Sequence, residues 1–146
     1  MRIAIYPGSF DPFTIGHFDI VKRALSLFDK IIIAIGDNFE KTYTLSIEKR
    51  LNRIKDVFAG ENRVEVLSYK GLTVEIANKE NACCILRGIR NTNDINYEFQ
   101  MDVINNRLGG IETVYLLARP EYAHVSSSMV RELARYGVDV SQYLPH

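Results

Sequence analysis

Apolar residues along this chain follow two alternating rhythms. Short, nearly continuous apolar runs occur at Arg2–Tyr6 (RIAIY), Lys30–Ile35 (KIIIAI), Val64–Leu67, Ala82–Leu86 and Glu112–Leu117, and each predicts a strand. Between them the apolar positions recur every three or four residues. Phe18, Val21, Leu25 and Phe28 share one helical face. So do Ile47, Leu51, Ile54 and Phe58 within Leu45–Phe58, where Thr44 or Ser46 can cap the first turn. Further helices are predicted at Leu72–Lys79, at Asp94–Leu108 before Gly109-Gly110, and at Ser127–Tyr136 before Gly137. Unbroken apolar strands that alternate with helices imply a parallel sheet covered on both faces. The expected fold is therefore α/β, a Rossmann-like, doubly wound parallel sheet of five strands, in a single domain spanning 1–146.

Composition narrows the function without choosing it. The chain is 47% hydrophobic and 25% charged, with 18 basic and 18 acidic residues. A balanced charge provides no global field for nucleic acid or a membrane surface, although a local basic pocket remains open. No apolar run approaches the roughly 18 residues of a membrane span. The opening MRIAIYPGS reads as the first strand rather than a leader. Cys83 and Cys84 are adjacent in NACCILRG, so in a strand they face opposite ways and a mutual disulfide is not expected. They are expected to be free thiols of a buried strand, in keeping with a reducing cytoplasm.

In this class of fold ligands bind beyond the C-terminal ends of the strands, so each following segment is a candidate. After the first strand comes PGSFDPFTIGH. It matches neither GxxxxGK[ST] nor GxGxxG. Thr14 can cap a helix whose first turn holds Ile15, Gly16 and His17, and such a turn offers free N–H groups to a phosphate. TxGH alone is too short to exclude an ordinary capped loop. Lys41, after the second strand, is either a solvated lysine or a phosphate-reaching one. Leu72 and Thr73 begin the helix after the third. The fourth strand runs into Arg87-Gly88-Ile89-Arg90, where two planar guanidinium forks suit phosphate or carboxylate. Asp94 and Glu98 follow one turn apart, either as partners that neutralise those arginines or as part of the site. After the fifth strand, Tyr122 and Ser126-Ser127-Ser128 open the last helix, one serine as a cap and all three offering hydroxyls and N–H groups to a polyphosphate, with Arg131 expected in its first turn.

Taken in order, GSFDPFTIGH, Lys41, RGIRNTNDINYEFQM and VSSSMVRELA resemble the bacterial phosphopantetheine adenylyltransferases of the [TH]xGH nucleotidyltransferase superfamily. The resemblance extends from Arg2 to Pro145. It implies AMP transfer from ATP to 4′-phosphopantetheine, giving dephospho-coenzyme A and pyrophosphate, with Mg²⁺ travelling on the nucleotide; the sequence itself offers no cluster of Asp and His resembling a metal site built by the protein. It implies that His17 contacts the reacting phosphate. ATP would be held by Ser9, Phe10, His17, Gly88, Ile89, Arg90, Glu98 and the segment Tyr122, Ala123, His124, Val125, Ser126, Ser127 and Ser128. Phosphopantetheine would be held by Ser9, Lys41, Leu72, Thr73 and Arg87. A cytoplasmic homohexamer with no nucleic-acid or membrane partner is implied as well. Ser9 stands where members often carry Thr, and Thr73 where an apolar residue is usual. The chain stops at Leu144-Pro145-His146, where members often continue into a further helix.

Overall fold

A computed structural model describes residues 1–146. The strands are β1 (Ile3–Gly8), β2 (Lys30–Gly36), β3 (Val64–Tyr69), β4 (Cys84–Ile89) and β5 (Glu112–Leu117). The helices are α1 (Ile15–Ala24), α2 (Ile47–Val57), α3 (Thr73–Lys79), α4 (Thr92–Gly109) and α5 (Ser127–Arg135). All five strands pair in parallel in the order β3-β2-β1-β4-β5. The chain first winds outward from β1 and then returns to place β4 on its other side. The switch point of the sheet therefore lies between β1 and β4.

Alternate residues of each strand serve opposite faces. Ala4, Tyr6, Ile31, Ile33, Ile35, Cys84 and Leu86 pack under α1 and α2, against Ile20, Val21, Ala24, Ile54 and Phe58. Ile5, Ile32, Ala34 and Ile85 pack on the other face with Val74 and Ala77 of α3 and with Ile111. Loss of one large buried side chain from such a core costs about 2–5 kcal/mol. Helix α4 is an exception. Glu98 is its only buried residue, while Ile95, Phe99, Ile104 and Leu108 stand exposed. The helix closes on α3 through Gly109, where a Cβ would lie 2.8 Å from that of Val74. No helix is long and apolar enough to cross a membrane.

Most predicted boundaries hold to within a residue or two, and three differences matter. Ser46, not Thr44, caps α2, its side chain accepting the Lys49 N–H. Strand β4 starts and ends later than the apolar run. Arg87 and Gly88 lie inside it, opposite Tyr115 and Leu116, because pairing with β5 continues to Ile89. Cys83 accordingly precedes the strand and is exposed, and only Cys84 is buried.

The register also opens the cleft. Strand β1 runs alongside β2 from Ile3↔Lys30 to Gly8↔Ile35 but meets β4 only at Ala4↔Cys84 and Ile5↔Ile85. Beyond those pairs the central strands separate, with Tyr6–Gly8 on one side and Arg87–Ile89 on the other.

Candidate active site

The first crossover places a histidine in a fixed pose. Thr14 caps α1, and its hydroxyl accepts the His17 N–H at 3.4 Å. In return His17 Nδ1 accepts the Thr14 N–H at 3.0 Å, a capping box closed by an imidazole rather than the usual Glu or Gln. With Nδ1 an acceptor, the proton of the neutral ring resides on Nε2. Phe13 stacks on the ring at 5.4 Å and Phe10 meets it edge-on at 5.0 Å. Burial, then the nearby Arg90 and Arg87 charges, lowers the His17 pKa from 6.5 to about 3. At neutral pH His17 is an uncharged hydrogen-bond donor.

The turn before it is tightly folded. Phe10 adopts a positive φ of 49° and tucks its ring over Gly8, where an added Cβ would sit 2.9 Å from the ring. Gly8 is the residue that this fold-back requires.

Across the cleft, Arg87 bridges the parted strands. Its Nη1 donates to the Pro7 carbonyl at 2.7 Å, and its Nε and Nη2 donate to Glu98 Oε1 at 3.0 and 2.7 Å. Burial opposes the charge, but the Glu98 hydrogen bond and charge outweigh it, so the Arg87 pKa is raised. Arg90 is more exposed and pairs with Asp94 through Nε at 3.3 Å. Both acids thus partner the arginines while standing in the cleft. Gly88 admits α1: a Cβ there would lie 3.3 Å from Ile20 Cγ1. Burial also holds the Tyr6 phenol above its usual pKa, so it stays a neutral hydroxyl.

The third wall is the start of α5. Ser126 caps the helix by accepting the Met129 N–H, and Ser127 Oγ donates to the Pro12 carbonyl at 2.7 Å. Two of the three serines therefore hold backbone in place, and Ser128 is the exposed one. Arg131 lies in the second turn, not the first, and donates to the Asp11 carbonyl at 2.8 Å.

These walls enclose two adjoining cavities. One, of about 400 Å³, is lined by Ser9, Phe10, His17, Gly88, Arg90, Tyr122, Val125, Ser126, Ser127, Ser128 and Arg131. The other, of about 640 Å³, is lined by Lys41, Tyr69, Thr73, Tyr97, Met101 and Asn105 among others. Pro7, Gly8, Ser9, Arg87 and Glu98 line both, so the cavities share a wall at the parted ends of β1 and β4. Four sequence candidates lie off these surfaces. Ile89 is buried, and Leu72 caps α3 half exposed. Ala123 ends the short Pro120–Tyr122 turn, and His124 meets the Tyr143 ring edge-on. Thr73 reaches the second cavity with its hydroxyl 2.9 Å from that of Tyr69.

Sequence reasoning overlooked Asp11 and Arg50. Both are almost fully buried, at 3% and 1% exposure, beneath the Ser9 turn. The signal for Arg50 was present: a charged residue within the Ile47, Leu51, Ile54 stripe of α2.

A sheet opened at its switch point, with a neutral histidine opposite two arginines, is a cleft suited to phosphate-bearing ligands. Consistent with this, residues 5–133 match the family model described as cytidylyltransferase-like. A phosphopantetheine adenylyltransferase of Flavobacterium psychrophilum is 50% identical over 99% of this chain and 96% of its own length. One from Caldanaerobacter subterraneus subsp. tengcongensis is 46% identical over 99% of this chain and 91% of its own. Among solved structures, one from Vibrio parahaemolyticus assigned as a nicotinate-nucleotide adenylyltransferase shares the fold. It has a TM-score of 0.68 at 20% identity, covering 100% of this chain and 95% of that one. The chain belongs to the phosphopantetheine adenylyltransferase family.

Proposed function

We propose that this chain transfers the adenylyl group of ATP to the phosphate of 4′-phosphopantetheine, forming dephospho-coenzyme A and releasing pyrophosphate. The observation that carries the reading is the shared wall of the two cavities, which lets two anionic substrates meet at one line of residues. ATP occupies the cavity of His17, Arg90 and the α5 start. Phosphopantetheine occupies the cavity of Lys41 and Thr73.

An oxygen of the acceptor phosphate attacks the α-phosphorus of ATP. The bond from that phosphorus to the α,β-bridging oxygen breaks, and pyrophosphate leaves with the electron pair. The nucleophile is already an anion, so no general base is needed. The protein's task is to bring two anions together and to stabilise charge on the group in flight. Nε2–H of His17 donates to an α-phosphate oxygen. Lys41 and Arg87 draw in the acceptor phosphate. Arg90, Arg131 and the N–H groups opening α5 hold the β- and γ-phosphates.

Magnesium enters on the triphosphate as part of that substrate. The carboxylates nearest the cleft, Asp94 and Glu98, are engaged by Arg90 and Arg87, a donor set suited to phosphate rather than to a resident ion. The working form is a cytoplasmic homohexamer, for which the exposed apolar side chains of α4 supply contact surface. Light scattering would report six times the chain mass of 16.7 kDa.

The deciding experiment is pyrophosphate release from Mg-ATP with 4′-phosphopantetheine, nicotinamide mononucleotide or glycerol 3-phosphate as acceptor. Release with phosphopantetheine alone supports the reading. Release with another acceptor keeps the ATP site but overturns the acceptor side. ATP binding without release under any condition favours a regulatory nucleotide-binding module.

A further inference from the structure

Arg50 is among the most deeply buried side chains of the molecule, at 1% exposure, and it forms no ion pair with a carboxylate. Its nitrogens donate to main-chain carbonyls instead: Nε to Leu45 at 3.1 Å, Nη1 to Ser9 at 2.8 Å and to Gly36 at 3.3 Å. Its guanidinium carbon lies 3.9 Å from the centre of the Tyr43 ring. A desolvated charge is costly to keep, and an aliphatic residue would continue the apolar stripe of α2 at less expense. The bonds identify what the guanidinium does there. Ser9 lines both cavities, and Gly36 lines the second. Tyr43 accepts the Asn38 N–H at 3.1 Å, at the root of the loop that carries Lys41.

The contact with Ser9 is the informative one. In a trans peptide the carbonyl and the N–H point in opposite directions. Arg50 holds the Ser9 carbonyl from behind the cleft, so the N–H of the same peptide, that of Phe10, points away from Arg50. That N–H has no partner in the fold. The positive φ of Phe10 makes this peptide the unit whose orientation most needs an external hold. Asp11 braces the same junction in reverse. Its carboxylate accepts the N–H groups of Thr44 and Leu45 at 2.8 and 2.9 Å, while its carbonyl accepts Arg131.

We infer that Arg50 is a positioning residue for adenylyl transfer. It locks the Ser9–Phe10 peptide and the end of β2 in one register, so that the donor and acceptor phosphates meet in line. The inference rests on the proposed reaction, and Arg50 itself touches neither substrate. A lysine keeps the charge but lacks the planar fork that reaches separate carbonyls.

The test compares Arg50→Lys, Arg50→Met and Ile54→Ala, a core truncation on the same helix. Melting temperature, the dissociation constant of ATP, kcat and the phosphopantetheine KM are read for each. Misalignment of reacting groups predicts kcat about 30- to 100-fold lower in Arg50→Met, with ATP affinity within about threefold. Arg50→Lys should fall between that variant and wild type, and it serves if Arg50→Met does not fold. Ile54→Ala should lose as much thermal stability yet keep kcat within about twofold. If both Arg50 variants melt early but retain kcat and both substrate constants, Arg50 is a purely structural residue and the inference fails.

Amide exchange provides a readout independent of turnover. In Arg50→Lys, the bonded amides of Asp37 and Asn38 at the end of β2 and those of Thr44 and Leu45 on Asp11 should lose protection together. Loss confined to the immediate neighbourhood of Leu45 overturns the inference. If the wild type releases no pyrophosphate, it is the proposed reaction that falls, and exchange alone decides the brace.

Discussion

The two sides of the cleft handle charge in opposite ways. On the α1 side, His17 is neutral, ringed by Phe10 and Phe13, and held at Nδ1 by backbone. On the β4–α4 side, Arg87 and Arg90 are charged, and each is occupied by an acid four to eleven residues further on. The first arrangement is finished before substrate arrives and can stabilise a transition state without reorganising. The second resembles a stored form, in which Glu98 and Asp94 hold guanidinium groups that a phosphate can share or capture. A fixed neutral donor belongs where charge develops during the reaction. Exchangeable cations belong where charged substrates dock and leave.

The sharpest way to break this contrast is at His17. His17→Ala should lower kcat by about 100- to 1,000-fold, the usual cost of one preorganised donor, with ATP affinity nearly unchanged. Equal losses in both, by single-turnover rates and calorimetry, would make His17 a docking group like the arginines.

Arg87→Ala should act next most strongly, and on the other quantity. The phosphopantetheine KM should rise about 10- to 100-fold, the worth of a charge-assisted hydrogen bond or two. An effect on ATP alone would move Arg87 to the other pocket. The variant also strands the Glu98 carboxylate, which is 9% exposed. The double variant Arg87→Ala/Glu98→Gln should therefore recover thermal stability but not acceptor KM. Recovery of both would reduce the pair to a structural strut.

Thr14→Ala probes the fixed side more gently. It removes the hydroxyl cap, costing about 1 kcal/mol of stability. It leaves the Thr14 N–H to hold Nδ1, so kcat should fall by less than about tenfold. A fall as deep as that of His17→Ala would mean that the hydroxyl, not the backbone, sets the ring.

These two regions were unequally legible in the sequence. Turn residues and the apolar rhythm identified the first crossover, and Thr14 was visible as a cap. Its reciprocal partner was not, because the closing position of a capping box normally carries Glu or Gln. The arginines were visible as chemistry but misplaced by structure. Arg87 ends the apolar run, yet backbone pairing with β5 carries the strand to Ile89, and hydropathy does not record backbone hydrogen bonds. The three serines were expected near ATP at a capped helix start; Ser126 is that cap, and Ser127 is engaged by the Pro12 carbonyl. Asp11 and Arg50 were missed because their partners are main-chain groups, most of them 14 to 41 residues away in the chain. Leu72, Ile89, Ala123 and His124 came with the family pattern, which locates segments near a ligand without resolving which side chains face it.

The smallest expected effect is an absence, and it bears most directly on the contrast. An ordinary histidine titrates near 6.5, whereas His17 is lowered to about 3 by burial and by the arginines opposite. Its imidazole resonances should stay flat between pH 5 and 8 in the free enzyme, where an unperturbed histidine changes fully. Turnover is a poorer reporter, because the acceptor phosphate titrates near pH 6 by itself. The sign for stability follows from proton uptake. The unfolded chain protonates this histidine below about pH 6.5 and the folded chain does not until near 3. Acid therefore favours unfolding across that window, and above it His17 contributes no pH dependence. Wild type should lose more melting temperature than His17→Gln between pH 7 and pH 4, while the two run parallel above pH 7. An imidazole that titrates near 6.5, or identical acid profiles for the two proteins, would make His17 a third exchangeable cation, and the two sides of the cleft would no longer differ in kind.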